Sequence, residues 1–163
     1  MLLEIDDWKF DVDVEYTRKY NQTIEQCQYV YDRNYYTAVD QVIPALRSFL
    51  AQFGVDAARP EEIFSVEQEE EPVDYISWYT VKGKILQLGG YEIDIGPVHI
   101  IPRQRNEVML PNPDCDKDDP DSWFVLSVLD IALPWVLDEP MPKSLPPAKT
   151  WLDKLLDRIL RRK

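Results

Sequence analysis

Residues 123–133, WFVLSVLDIAL, are apolar almost without interruption. A run of that kind reads as a strand buried on both faces, at the centre of a sheet. It constrains the rest of the chain, because a central strand needs neighbours, and the sequence offers several. Residues 73–85 (VDYISWYTVKGKI) set Tyr75, Tyr79 and Val81 on one side and Ile76 and Trp78 on the other, the period-two pattern of a long strand. Gly89-Gly90 turns into residues 91–102 (YEIDIGPVHIIP), where Tyr91, Ile93 and Ile95 alternate with Glu92 and Asp94, as in a half-buried antiparallel strand. Residues 63–71 (IFSVEQEEE) read as an edge strand ending in acid. Residues 2–5 and 9–14 form an opening hairpin about Asp6-Asp7, with Trp8 near its turn.

Helical periodicity lies mostly in the first third. Val14, Tyr16, Tyr20 and Ile24 recur at helical spacing between Asp13 and about Gln26, and Ala38, Val42, Leu46, Leu50 and Phe53 fall near one stripe. Pro44 interrupts that second run, which predicts two helices with Pro44 in the first turn of the second. Gly54 closes it as a C-terminal cap. Strands joined by short turns, with helices grouped early, define an α+β class. The expected fold is an antiparallel β-sheet of four to six strands with two or three helices packed on one face. An amphipathic C-terminal helix follows a Pro-rich linker. The expected organisation is an acidic α+β domain over 1–137, a linker over 138–147 (DEPMPKSLPP) and a basic amphipathic helix over 148–163, where Trp151, Leu155 and Ile159 lie four apart.

Charge is unevenly spread. Residues 148–163 hold six basic and two acidic side chains, net +4, whereas the other 147 residues hold 12 basic and 28 acidic, net −16. An acidic body repels phosphate backbones, so direct nucleic-acid binding is not expected and a protein partner with a basic surface is. The first 14 residues carry acid where a signal peptide needs base, and no apolar run reaches the ~18 residues of a membrane span. Two cysteines, Cys27 and Cys115, are too few for a disulfide framework. These features predict a cytoplasmic protein without membrane contact.

The most individual stretch is CQYVYDRNYY, residues 27–36. Together with FGVD (53–56), RPEE (59–62), GYEIDIG (90–96) and LPWVLDEPM (133–141), it resembles a family of uncharacterised small acidic bacterial proteins. In that family C-x-C-x-x-C-R-N stands in the first of these places. The resemblance covers residues 1 to about 141 and implies no activity. Tyr29 and Asp32 occupy the positions of the second and third cysteines. Three thiolates at that spacing could hold zinc, but one thiol and one carboxylate make too poor a set. The expected role of the stretch is therefore packing, with Tyr29, Tyr31, Tyr35 and Tyr36 around a helix entrance and Asp32 and Arg33 making polar contacts.

Catalysis has little to draw on. His99, the single histidine, sits among Val98, Ile100 and Ile101 and reads as structural, and no nucleophile elbow, phosphate loop or zinc-protease motif is present. Asp114, Asp116, Asp118, Asp119 and Asp121 alternate like a calcium loop, but Asp119 and Val125 stand where an EF-hand needs Gly and Glu. No catalytic residue, cofactor or metal ligand is assigned. The expected function is a non-catalytic protein–protein interaction module. Glu69, Glu70 and Glu71 would serve as one docking face, and Trp151, Leu155 and Ile159 as a helical one that could also pair two copies. The alternatives are an acidic nucleic-acid-mimic inhibitor or immunity protein, and a small metal-dependent enzyme centred on Cys27, Asp32 and His99.

Overall fold

A computed structural model describes residues 1–66, 70–104, 107 and 120–142. In chain order these form β1 (Leu2–Ile5), β2 (Trp8–Val12), α1 (Val14–Thr23), α2 (Val30–Val42), α3 (Pro44–Ala51), β3 (Glu62–Val66), β4 (Val73–Gln87), β5 (Ile93–Ile95), β6 (Val98–Gln104), a 3-10 turn (Pro120–Ser122) and β7 (Trp123–Leu133). The class is α+β. Among the described residues the strands make one seven-stranded antiparallel sheet in the order β1-β2-β4-β7-β6-β5, with β3 also paired to β4. The apolar run 123–133 is central, between β4 and β6.

β4 organises the sheet because it is long enough to serve two neighbours on one edge. Its first part, Asp74–Trp78, pairs with β3, and its last part, Gly83–Gln87, pairs with β2. The edge between them is met by α1. Asp13 donates its backbone N–H to the Lys82 carbonyl, and the Lys82 N–H donates to the Thr17 hydroxyl. A buried backbone group needs a partner, so the buried residues of α1 are the polar Thr17 and Asn21. The predicted apolar stripe of that helix is not its buried face. Tyr16 is exposed, and Tyr16 and Tyr20 instead place ring edges on Trp123. Gly83 permits the closest approach in the sheet, since a Cβ there would meet the Asp11 carbonyl oxygen at 2.1 Å.

The main core lies between the sheet and helices α2 and α3. Phe10, Phe53 and Phe124 pack ring against ring, with Trp8 stacked beyond Phe10. Leu46, Leu50, Val39 and Ala38 close over them from the helices. Each fully buried side chain of this size contributes about 1.5–3 kcal/mol. Pro44 begins α3 as predicted, and the break at Ile43 leaves Val42 exposed although it belongs to the sequence stripe. Gly54 follows α3 at φ +83, where a Cβ would strike the Val14 carbonyl oxygen at 2.4 Å.

Three expectations are corrected. Among the described residues the sheet already holds seven strands, not four to six. Residues 91–102 are not one strand but the hairpin β5–β6, turning at Gly96-Pro97, with Tyr91 outside it and exposed. The helices do not all lie on one face, because α1 sits at the open edge of β4. No helix among the described residues is long and apolar enough to cross a membrane. The predicted terminal helix, residues 143–147 of the linker and the Asp114–Asp119 run lie outside the described residues.

Candidate functional site

The tyrosine-rich stretch resolves into an anchor. Tyr31, Asn34 and Tyr35 are buried on α2. The Asn34 side-chain amide donates to the Tyr75 hydroxyl and the Pro134 carbonyl, both at 3.1 Å, and its oxygen accepts from the Val136 N–H at 2.8 Å. One side chain thus ties α2 to β4 and to the chain leaving β7. The Tyr35 hydroxyl lies 3.0 Å from Ser77 Oγ and 2.6 Å from the Tyr79 hydroxyl, which donates to the Ala57 carbonyl. Burial raises the Tyr35 phenol to about 12 and pushes Tyr79 well above its usual value. These phenols stay neutral and act as hydrogen-bonding struts. Tyr31 also meets Trp135 edge-on, and Arg33 pairs with Glu139. Residues 27–36 and 133–141 therefore pack on each other.

Cys27 is a free, exposed thiol. Its N–H donates to the Tyr36 hydroxyl, and its sulfur accepts from the Tyr29 N–H at 3.4 Å. Asp32 adjoins it. Desolvation raises the Asp32 carboxyl, and a hydrogen bond with Cys27 pulls it the other way. Cys27 and Asp32 are thus neighbours, but His99 does not join them, because its ring turns to a different set of carboxylates.

Among the described residues that set brings together three His, Asp or Glu side chains, Glu92, Asp94 and His99, whose ligand atoms lie within 4.8 Å of one another. β5 and β6 pair Asp94 with His99 directly. His99 Nδ1 lies 2.7 Å from Asp94 Oδ1 and 3.5 Å from Glu92 Oε1, and Nε2 lies 3.7 Å from Asp130 Oδ2. Asp130 reaches the ring through an irregularity in β7. Tyr75 pairs with Ile131 but Ser77 with Val128, so Leu129 and Asp130 together oppose Ile76. Asp130 takes φ 59 there, a left-handed conformation that Asp tolerates better than most residues. The hydrogen bond to Asp94, followed by the other carboxylates, raises the His99 imidazole above its ordinary value. In the sequence Glu92 and Asp94 were two acids among thirty. The available signal was the Gly-Pro turn after Ile95, which folds residue 94 back onto residue 99.

Of the predicted docking residues, Glu70 and Glu71 are exposed, just beyond the end of β3. Glu69, Trp151, Leu155 and Ile159 lie outside the described residues. Sequence reasoning passed over the apolar side chains of β3 itself, where Phe64 and Val66 are 56% and 44% exposed. They occupy alternate positions and so share one face. No protein-family model matches the chain, and neither a curated protein nor a solved structure does.

Proposed function

We propose that the protein is a non-catalytic, cytoplasmic interaction module that takes an extended basic segment of a partner protein along β3. The exposure of Phe64 and Val66 on an edge strand carries this reading. Among the described residues β3 pairs with β4 alone, so its outer edge is a template for one more strand. Main-chain hydrogen bonds would supply affinity, and Phe64 and Val66 would receive alternate apolar side chains. Glu62 on the same face, with Glu70 and Glu71 beyond, selects for Lys or Arg flanking those apolar positions.

The test is a displayed library of extended peptides, followed by calorimetry of the enriched sequences. The expected winners carry apolar residues at alternate positions with flanking basic residues and bind more weakly as salt rises. Replacing Phe64 and Val66 together by serine lowers affinity at least about tenfold, a loss of about 1.4 kcal/mol, while the thermal midpoint stays put. Replacing Glu70 and Glu71 by glutamine lowers it less. Equal affinity for the serine variant and the unmodified protein, or no enrichment at all, would exclude β3 as the docking edge.

A further inference from the structure

We propose that Glu92, Asp94 and His99 form a binding site for a divalent first-row transition ion, zinc in preference to magnesium, with Asp130 orienting the imidazole from its far side. The donor set is one nitrogen and two carboxylates. An imidazole ligand favours zinc and its neighbours in the first transition row over magnesium and calcium.

The spacing suits a single ion. Ligand bonds of about 2.0–2.2 Å set neighbouring donor atoms about 3.0 Å apart in an octahedron and about 3.4 Å apart in a tetrahedron. Here Nδ1 stands 2.7 Å and 3.5 Å from the two carboxylate oxygens, and all three donor atoms lie within 4.8 Å of one another. Small side-chain rotations would admit an ion among them. Two of the three ligands are exposed, which leaves the remaining coordination positions open to water.

The orientation of the ring is the second argument. Its Nδ1 edge faces two carboxylate oxygens that can only accept, and its Nε2 edge faces a third. Asp130 Oδ2, 3.7 Å from Nε2, is a charge beside the ring rather than a hydrogen-bond partner. A neutral imidazole protonated at Nε2, on the Asp130 side, turns a bare lone pair toward Asp94 and Glu92. Either a proton on Nδ1, donated to Asp94 at 2.7 Å, or a metal ion in its place satisfies the acceptors that meet there. A ligating histidine whose other nitrogen is held by a carboxylate is the arrangement that raises ligand basicity and fixes the ring. β5 and β6 deliver Asp94 and His99 from directly paired backbone, Glu92 precedes β5 by one residue and Asp130 stands on the irregularity in β7, so little conformational entropy is lost on binding.

The experiment is calorimetric titration of the chelator-stripped full chain with zinc chloride, manganese chloride and magnesium chloride. Proton NMR of the imidazole supplies a second readout, and since His99 is the only histidine its ring signals need no assignment. One zinc per chain is expected, with the ring signals shifting in step, manganese broadening them and magnesium competing poorly. Asp130→Asn, which suits a left-handed backbone, should weaken zinc about 10- to 100-fold with the circular dichroism unchanged. His99→Ala should abolish the site, and Cys27→Ser should leave it intact. Absence of saturable zinc binding would overturn the proposal, as would binding that survives His99→Ala or disappears with Cys27→Ser.

Discussion

Two polar clusters flank the same central strands, and they differ in almost every physical respect. Under α2, Asn34, Tyr35, Ser77 and Tyr79 are buried among neutral donors and acceptors. Around His99, three carboxylates and an imidazole stand at least one third exposed. Burial makes the first cluster expensive to disturb, because a buried donor or acceptor left alone loses its exchange with water. Exposure makes the second nearly irrelevant to folding and leaves its atoms accessible to a ligand. Polar side chains gathered in one place are therefore no guide to function until burial is known.

The comparison can be broken most directly at Asn34. Asn34→Ala removes three hydrogen bonds and strands the Val136 N–H and the Pro134 carbonyl. The expected loss is on the order of 3 kcal/mol, read as a lower urea midpoint with an unchanged slope; a loss within experimental error would mean that the cluster does not anchor α2. Tyr79→Phe should cost less, about 1–2 kcal/mol, because it strands chiefly the Ala57 carbonyl.

A smaller effect sharpens the contrast through pH. The Tyr35 phenol moves from 10.0 in its ordinary state to about 12 in the fold. A group raised on folding stabilises fully below its unfolded value and loses that contribution as pH rises through its folded one. Stability should therefore fall between pH 10.0 and about 12, and less steeply in Tyr35→Phe. Parallel slopes in urea titrations of the two proteins would show that Tyr35 is not responsible.

The smallest effect belongs to His99. Its raised imidazole follows the same sign, so in metal-free protein its contribution is whole below 6.5 and fades as pH climbs through the folded value. With the ring exposed, His99→Ala should leave the urea midpoint where it was. An NMR titration should place the imidazole above 6.5, and Asp94→Asn should bring it down. A value at or below 6.5 would show that the carboxylates do not hold the proton in solution.

Much of the fold was legible locally. Alternation revealed the long strand β4, the apolar run marked β7 as central, and Pro44 and Gly54 set the bounds of α3 through what their backbones can and cannot do. The misreadings share a cause. Residues 91–102 look like one strand because apolar residues continue on both sides of Gly96-Pro97; the shift of the apolar positions from 91, 93 and 95 to 98 and 100 marks the turn that the pairing shows. Tyr16 and Tyr20 look like a core stripe because apolar spacing says nothing of which face meets an unpaired strand edge. α1 is needed there for the hydroxyl of Thr17, while the amide of Asn21 holds the backbone of Asp56 and Arg59.

The candidate sites divide the same way. The sequence placed Glu70 and Glu71 beside a strand end, and Asp94 near His99 could have been read from the Gly-Pro turn. Asp130 could not, since 31 positions separate it from His99 and a β-bulge turns it toward the ring. By itself the sequence determined the class, the strand and helix periods, the split at Pro44 and the acidic character, all of which depend on neighbours a few residues apart. Tertiary structure alone decided which polar groups became struts and which stayed open. Burial and register depend on partners far along the chain, and no local pattern encodes them.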